Sequence, residues 1–500
     1  MADTTERAND DSFKTGKNKC QYVQQFCCET SLHGVRFLFD RKGVVRLLWF
    51  LALGTAFAFC GYQIYWTFHD FFQRPFSTTI ITKRPREISF PAVTICNLNH
   101  VSKKEYAKAT RAYEVNKTDE QLERDIQLTM ASMQRRGNQS DLSSNDELSM
   151  FKLLNASENY HRRGNRLLNT LKQYSHKIEG MLSFDWIEPC VWRGVKCSPA
   201  NFSSFVTLRM GQCFTFNSGE KGHERLKSYI PGPTNGLRLR LNVEEEDHVS
   251  DSTSNIAGFK VSIQHQDEYP GVDEFGFALQ PGTHTFAAIR AFKMKRLEDP
   301  YEAKCSSPKD EISKAYNKTY SVNSCSLLCF MRYIAQACGC QLMMEIIPGK
   351  EVCSLKESFE CGYPKVFERR PQSVRDCVAK CPEPCEQMVY ETKLSYASAS
   401  SKAFIKRIKS PTLQNMTMEE KVEYIRNNMV SLDVYFEEIK YDLVNQTESI
   451  STTSLFGTVG GYLGLFLGMS LLTVLEFLDF LFLCFYKMIC RSSKTAATQN

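Results

Sequence analysis

The chain has 500 residues, of which 42% are hydrophobic and 24% charged, with a formal net charge of +6. Those totals would suit a large soluble protein, and so small a positive excess gives no reason to expect nucleic acid as a partner. They conceal the organisation: apolar residues concentrate in two long runs, Val44 to Trp66 and Leu455 to Ile489, each long enough to span a bilayer.

The N-terminal region, residues 1–43, is polar and mixed in charge as far as Phe26 and reaches Thr30-Ser31-Leu32-His33-Gly34 just before the first run. Read alone, His-Gly there is a turn with a surface imidazole. The first run, residues 44–68, lacks a small-residue cleavage site and predicts a retained transmembrane helix rather than a signal peptide. Tyr62, Tyr65, Trp66, Phe68, Phe71, Phe72 and Phe76 form an aromatic exit from the bilayer, closed by Pro75. Basic residues flank the two runs on their outer sides: Arg36, Arg41, Lys42 and Arg46 before the first, Lys487, Arg491 and Lys494 at and after the second. The positive-inside rule therefore predicts a multi-pass protein with both termini cytoplasmic, a short tail at 490–500 and an extracellular middle, residues 69–450.

Cysteine usage fits that orientation. Of 20 cysteines, Cys20, Cys27, Cys28 and Cys490 lie in the tails and Cys60 and Cys484 in the runs, leaving 14 in the middle. An even number in an oxidising compartment predicts a disulfide framework. Metal binding at Cys325-x3-Cys329 or Cys338-Gly-Cys340 is the competing reading, but no ligand-spaced histidines accompany it. Asn-x-Ser/Thr sequons at Asn116, Asn138, Asn155, Asn201, Asn317, Asn415 and Asn445 fall in the same segment, as expected of a glycosylated exterior.

Within the middle, Phe90-Pro91-Ala-Val-Thr-Ile-Cys96-Asn97 reads as an early strand with a cysteine anchor. His100 to Gly180 is charged and predicts several amphipathic helices. Five β-patterned stretches follow, at 205–208, 213–216, 237–243, 258–263 and 283–289, and predict one sheet. Glu244-Glu-Glu-Asp247-His248 directly follows one of them. It is either a solvated turn or a carboxylate cluster, with Glu246, Asp247 and His248 as a candidate proton or cation sensor. Between Cys305 and Cys385 ten cysteines are crowded into a small subdomain held mainly by disulfides. Lys402 to Asn428 is basic and helical in pattern, and Ser431 to Tyr441 alternates as a strand that leads through a short link into the second run.

That second segment, residues 451–489, is far longer than the ~20 residues a span needs, so it must tilt, break or both. Glycines at 457, 460, 461, 464 and 468 interrupt it, as do Glu476 and Asp479, three residues apart on one helix face. Acids inside a membrane helix usually face a partner or a water-filled path. Gly468-Met469-Ser470 is a place where loosened backbone could turn carbonyls toward an ion. The alternative is a small-residue packing face formed by Gly460, Gly464 and Gly468.

Taken together, His33-Gly34, FPAVTICN at 90–97, the cysteine-rich block and GLFLGMSLLTVLEFLD at 464–479 resemble the degenerin/epithelial sodium channel superfamily, closest in layout to its acid-sensing and peptide-gated branches. The resemblance implies an α+β membrane protein. Two transmembrane helices flank a large disulfide-rich extracellular domain with a β-sheet palm and helical finger and thumb, and three copies surround a pore. It further implies that Gly468, Met469 and Ser470 form the selectivity filter, that His33 and Gly34 support it, and that Thr458, Gly461, Gly464, Glu476 and Asp479 line the pore. Ser454 falls where bulky residues hold degenerins open. The implied disulfides join Cys96 with Cys213, Cys190 with Cys197, Cys305 with Cys385, Cys325 with Cys381, Cys329 with Cys377, Cys338 with Cys361, and Cys340 with Cys353.

The departures concern the trigger. Pro75 and Phe76 stand where acid-sensing relatives carry a histidine pair, and Tyr363 and Phe367 align with the carboxylates expected opposite Glu246 and Asp247. The expectation is a voltage-independent, amiloride-sensitive sodium channel of the plasma membrane, surrounded by lipid, a homotrimer or a heterotrimer with related subunits. Extracellular protons open it, His248 and His265 being among the groups left to sense them. A secreted peptide ligand, a constitutive leak modulated by pH or divalent ions, and a non-channel surface receptor are the alternatives. No cofactor is implied beyond the permeant sodium ion. The chain shows no nucleophile elbow, paired catalytic carboxylates or metal motif, so an enzyme is not expected.

Overall fold

The computed structural model describes residues 26–27, 30–99, 101–111, 172–207, 210–220, 224–248, 256–302, 304–342, 351–353, 357, 361–362, 364–365 and 371–496, the last thirteen as backbone only. The predicted helices of 112–171, the sequons at Asn116, Asn138 and Asn155, and Tyr363 and Phe367 lie outside these residues. The chain divides into two units: residues 1–77, 300–302 and 447–500, and residues 78–299 and 303–446.

In the larger unit, two sheets replace the single sheet predicted from the pattern. One has seven strands. Its path runs β13 (Glu386–Ser398), β12 (Thr283–Lys295), β14 (Met429–Glu448), β9 (Leu237–Asn242), β4 (Cys190–Trp192) and β5 (Val195–Lys196), and β1 (Phe76–Lys83) pairs on β14. The other runs β11 (Phe277–Leu279), β10 (Phe259–Gln264), β3 (Ala92–Asn97), β7 (Gly211–Phe216) and β6 (Phe202–Thr207), and a small pair joins β2 (Ile88–Ser89) to β8 (Lys227–Ser228). The reason for the second layer is burial. Every residue of β3 and β7 is buried, and a single solvated sheet cannot cover both faces of a strand. Phe90, Val93, Ile95 and Phe259 of the five-strand side share one core with Leu237, Leu239, Ile289, Leu432 and Phe436 of the seven-strand side.

Strand β14 is longer than predicted, and its first half is buried on both faces. Leu432, Val434 and Phe436 enter the core. On the other face Asp433 meets Arg240 at 2.8 Å and His284 at 3.1 Å. Burial pushes the Asp433 carboxyl up, but His284 and Arg240 outweigh it and hold the group below the usual carboxylate range. The basic stretch 402–428 is two helices rather than one, Lys402–Ile405 and Met418–Asn428. Pro411 stops helical backbone between them, and a Thr417/Glu420 capping box starts the second.

Seven disulfides are closed: Cys96–Cys213, Cys190–Cys197, Cys305–Cys385, Cys325–Cys381, Cys329–Cys377, Cys338–Cys361 and Cys340–Cys353. Five of them staple the block around the helix Val322–Cys338, which a Ser321/Ser324 capping box begins and a left-handed Gly339 ends. Asn201, Asn317 and Asn415 are exposed, and Asn445 is half-buried.

The smaller unit holds the apolar helices. Val44–Phe72 is 29 residues, about 43 Å at ~1.5 Å per residue, and is long and apolar enough to cross a membrane. It continues four residues past the predicted end. The second apolar run is two helices, Thr452–Leu467 and Leu471–Ala496, and the apolar part of the second meets the first at 79°. Local sequence sets this break. Gly468 takes the left-handed conformation at φ 63° and ends the first helix. Ser470 starts the next one, exchanging main-chain bonds with Thr473 in a reciprocal cap.

Candidate functional site

The break at Gly468 is built around an imidazole. His33 Nδ1 lies 3.2 Å from the Gly468 carbonyl oxygen, and because a carbonyl can only accept, Nδ1 carries the proton. A Cβ on Gly468 would sit 2.1 Å from that nitrogen. Glycine is thus required at 468 twice, for its left-handed backbone and for the contact. Gly34 carries the chain back at φ 91°, where a Cβ would come within 3.0 Å of Leu53. Leu32 is buried with Cys60 and Leu467, packed by Tyr462, Phe466 and Met469. The segment 30–34 therefore forms a floor beneath the break.

Glu476 fixes the other end of that floor. Its carboxylate accepts from the Ser31 main-chain N–H at 3.0 Å, the Ser31 hydroxyl at 3.1 Å and the Thr30 hydroxyl at 3.3 Å. Ser31 Oγ also lies 2.6 Å from Thr473 Oγ1, and Thr473, fully buried, is the same residue that caps Ser470. One hydrogen-bonded chain thus runs from Glu476 through Ser31 and Thr473 to Ser470. Phe26 stacks on Phe480 at 4.1 Å and meets Phe477 edge-on at 5.2 Å, extending the contact by one helical turn. Sequence reasoning missed Ser31 and Thr473. The signal was present in Ser470-x-x-Thr473 two residues after Gly468, the spacing of a reciprocal helix cap.

The remaining predicted residues occupy a different face. Ser454, Gly461, Gly464 and Asp479 are exposed, and Thr458 is half-exposed. A Cβ at Gly457, Gly460 or Gly461 would meet nothing within 4 Å among the described residues. Of the stripe Gly460, Gly464 and Gly468 in the alternative sequence reading, Gly468 packs on His33 and a Cβ at Gly464 would lie 3.8 Å from the Met469 carbonyl oxygen, whereas Gly460 is bare; the first long helix packs on the side carrying Tyr462, Leu463, Phe466 and Leu467.

A family model described as amiloride-sensitive sodium channel matches residues 26–480, a span that includes the first apolar run, most of the second, the floor and Glu476. The chain belongs to the amiloride-sensitive sodium channel family. Acid-sensing ion channel 1A of Danio rerio is 30% identical over 483 residues, covering 94% of this chain and 90% of the relative. Acid-sensing ion channel 1 of Gallus gallus is 29% identical over 484 residues (94% and 86%), and Acid-sensing ion channel 2 of Homo sapiens 27% over 470 (92% and 86%). The protein is thus a cation channel of this family and not an enzyme.

In the channel's larger unit the acidic turn at 244–248 is divided. Glu246 is exposed, whereas Asp247 is buried and accepts from the Ser102 hydroxyl at 2.5 Å and the Lys104 N–H at 2.8 Å. Ser102 in turn caps Glu105 N–H at 3.1 Å, so both bonds anchor the start of the helix Lys103–Arg111. Glu244 reaches the buried His176 at 3.0 Å, and Asp247 stands 3.9 Å from the same nitrogen. These three donors gather within 4.8 Å of one another. Burial, reinforced by His176, pushes His248 down to about 4, and burial likewise lowers His265. His248 therefore stays uncharged in mild acid. Asp247→Ala should remove two charge-assisted bonds, each costing about 1.5–3 kcal/mol. A lowered unfolding temperature with an unmoved pH response is the expected result, and an abolished acid response at full stability would make Asp247 a sensor instead.

Proposed function

We propose that the chain is one subunit of a trimeric, voltage-independent, amiloride-blocked sodium channel of the plasma membrane. Both apolar segments cross the bilayer, both termini are cytoplasmic, and extracellular acid opens the pore. The observation that carries the pore assignment is the broken second segment, with Gly468-Met469-Ser470 out of helical conformation and seated on His33, Ser31 and Thr473. Irregular backbone at membrane depth survives only where protein buries it or where it lines a cavity. The bare glycine face supports a symmetric assembly. Three copies would each turn Ser454, Thr458, Gly461 and Gly464 toward a common axis, with Gly468 to Ser470 as the filter and Glu476 holding its support in place. Asp479, exposed one turn further on, would meet the permeant sodium. Acid as the trigger is supported by the relatives, whose names describe acid-sensing channels. Because β14 ends at Glu448 and the pore helix begins at Thr452, a shift of that strand has only three residues in which to be absorbed.

The chain expressed alone should give an inward, amiloride-blocked current when the bath is stepped from about pH 7.4 to about pH 5, across the range where raised carboxyls titrate. A standing current reduced by acid would replace this reading with a leak channel. Silence with protein shown at the surface would replace it with a peptide-gated or heteromeric one.

A further inference from the structure

The loop between β10 and β11 carries a carboxyl with no cation paired to it among the described residues. Glu268 reaches across to the other sheet, where its Oε1 accepts from Gln387 Nε2 at 3.1 Å. Gln387 is the second residue of β13, two positions after Cys385, which is bonded to Cys305. Among the described residues, the charged groups of the neighbouring elements are committed elsewhere. Arg225 forms a two-pronged pair with Asp267. Lys318 donates to the main-chain carbonyls of Gln266 at 2.6 Å and Ser218 at 3.4 Å. His265 lies 3.6 Å from Asp267 and stacks on Tyr390 of β13, whose hydroxyl donates to Ser89. Beside them on β13, Glu386 pairs with Lys293 and Lys295. What remains for Glu268 is a neutral amide and, next to it in the chain, a like charge.

We propose that the Glu268 carboxyl is a proton-binding site that seats the 265–271 loop on β13, so that a bound proton tightens the joint between the two sheets beside the disulfide-held block. Neutralisation there removes the cost of keeping a charge half-buried and its repulsion from Asp267, while the Gln387 bond is kept, because a protonated carboxyl still accepts through its carbonyl oxygen. Burial, with Asp267 adding to it and Gln387 opposing, raises Glu268 from 4.5 to about 7. The sign follows from linkage. In any state that exposes Glu268 to water its affinity for protons is ordinary. The seated state is therefore penalised in full above about pH 7 and relieved progressively as the pH falls toward about 4.5.

This deepens the acid-gated reading, yet its test does not depend on current. The purified full-length channel and its Glu268→Gln variant are unfolded thermally at about pH 8 and at about pH 5.5. The variant should melt several degrees above the wild type at the higher pH, and the gap should shrink clearly at the lower one. Equal gaps at both pH values, or a variant less stable at the higher one, would overturn the site. Asp267→Asn serves as the second variant and should move the wild-type rise in stability to lower pH; an unmoved rise would also count against the proposal. If acid opens the channel, Glu268→Gln should shift half-activation toward neutral pH. A converging melting pattern in a channel that acid does not open would leave the site standing and reject the gating reading.

Discussion

Replacing Glu476 by lysine is expected to abolish sodium current while the protein still reaches the surface. The carboxylate is not a bare charge on a pore wall. It accepts three bonds from Thr30 and Ser31, and those residues lead directly to His33 under the Gly468 carbonyl. A lysine has only donors and meets the Ser31 N–H and two hydroxyl hydrogens with like polarity. The floor is released, and the break at 468–470 loses its support. All three bonds end on one oxygen, Oε2, and glutamine keeps one acceptor oxygen, so Glu476→Gln should retain part of the current. Loss of the charge assistance corresponds to a fall of roughly tenfold. Surface labelling beside whole-cell recording separates the outcomes. Normal labelling without current supports the clamp, whereas normal current in the lysine variant removes Glu476 from the pathway.

The second large effect is expected at Gly468. Alanine there must hold a left-handed backbone, a cost of about 1–2 kcal/mol for a residue with a Cβ, and its methyl group would lie 2.1 Å from His33 Nδ1. Either the imidazole withdraws from the carbonyl or the backbone abandons the break. In both cases the Gly468 carbonyl turns away from its present direction, and ion selectivity should fall before assembly does. Ser470→Ala removes the hydroxyl that accepts from Thr473 N–H at 3.3 Å and should cause a smaller change of the same kind. Replacing Gly461, whose Cβ would meet nothing within 4 Å among the described residues, tests the common axis instead, since neighbouring subunits would oppose it.

How far the sequence disclosed this molecule differs from residue to residue. The break in the second segment was legible in part, because a run longer than one span and interrupted by glycines must tilt or break, whereas the Ser470/Thr473 cap that fixes its place was not read. His33 was legible only through the family. Alone it is one imidazole beside a glycine, and nothing local says that it faces a carbonyl 435 residues away. The strands were visible by their period, but a period gives no partner. Thr94 of β3 and Ser262 of β10 are buried although polar, so strands covered on both faces look like strands covered on one, and two sheets were predicted as a single sheet. At 244–248 composition could not tell Asp247, turned inward onto a helix start, from Glu246, left in solvent. Glu268 was invisible for a related reason. Its character depends on Arg225 and Lys318 being occupied elsewhere, which no stretch of sequence records.

The proposed passage of ions through the break at Gly468 to Ser470 requires that His33 and Glu476 hold this backbone in shape. Its most direct test is the reversal potential with sodium outside and potassium inside, compared between the wild type and Gly468→Ala. Both are recorded in a background with a bulky residue at Ser454, the exposed position where the family resemblance expects such residues to hold the pore open without any trigger. The account predicts a clearly positive reversal potential for the wild type and one near zero for the alanine variant. An unchanged positive potential in the variant would contradict it, because selectivity would then reside somewhere other than this backbone.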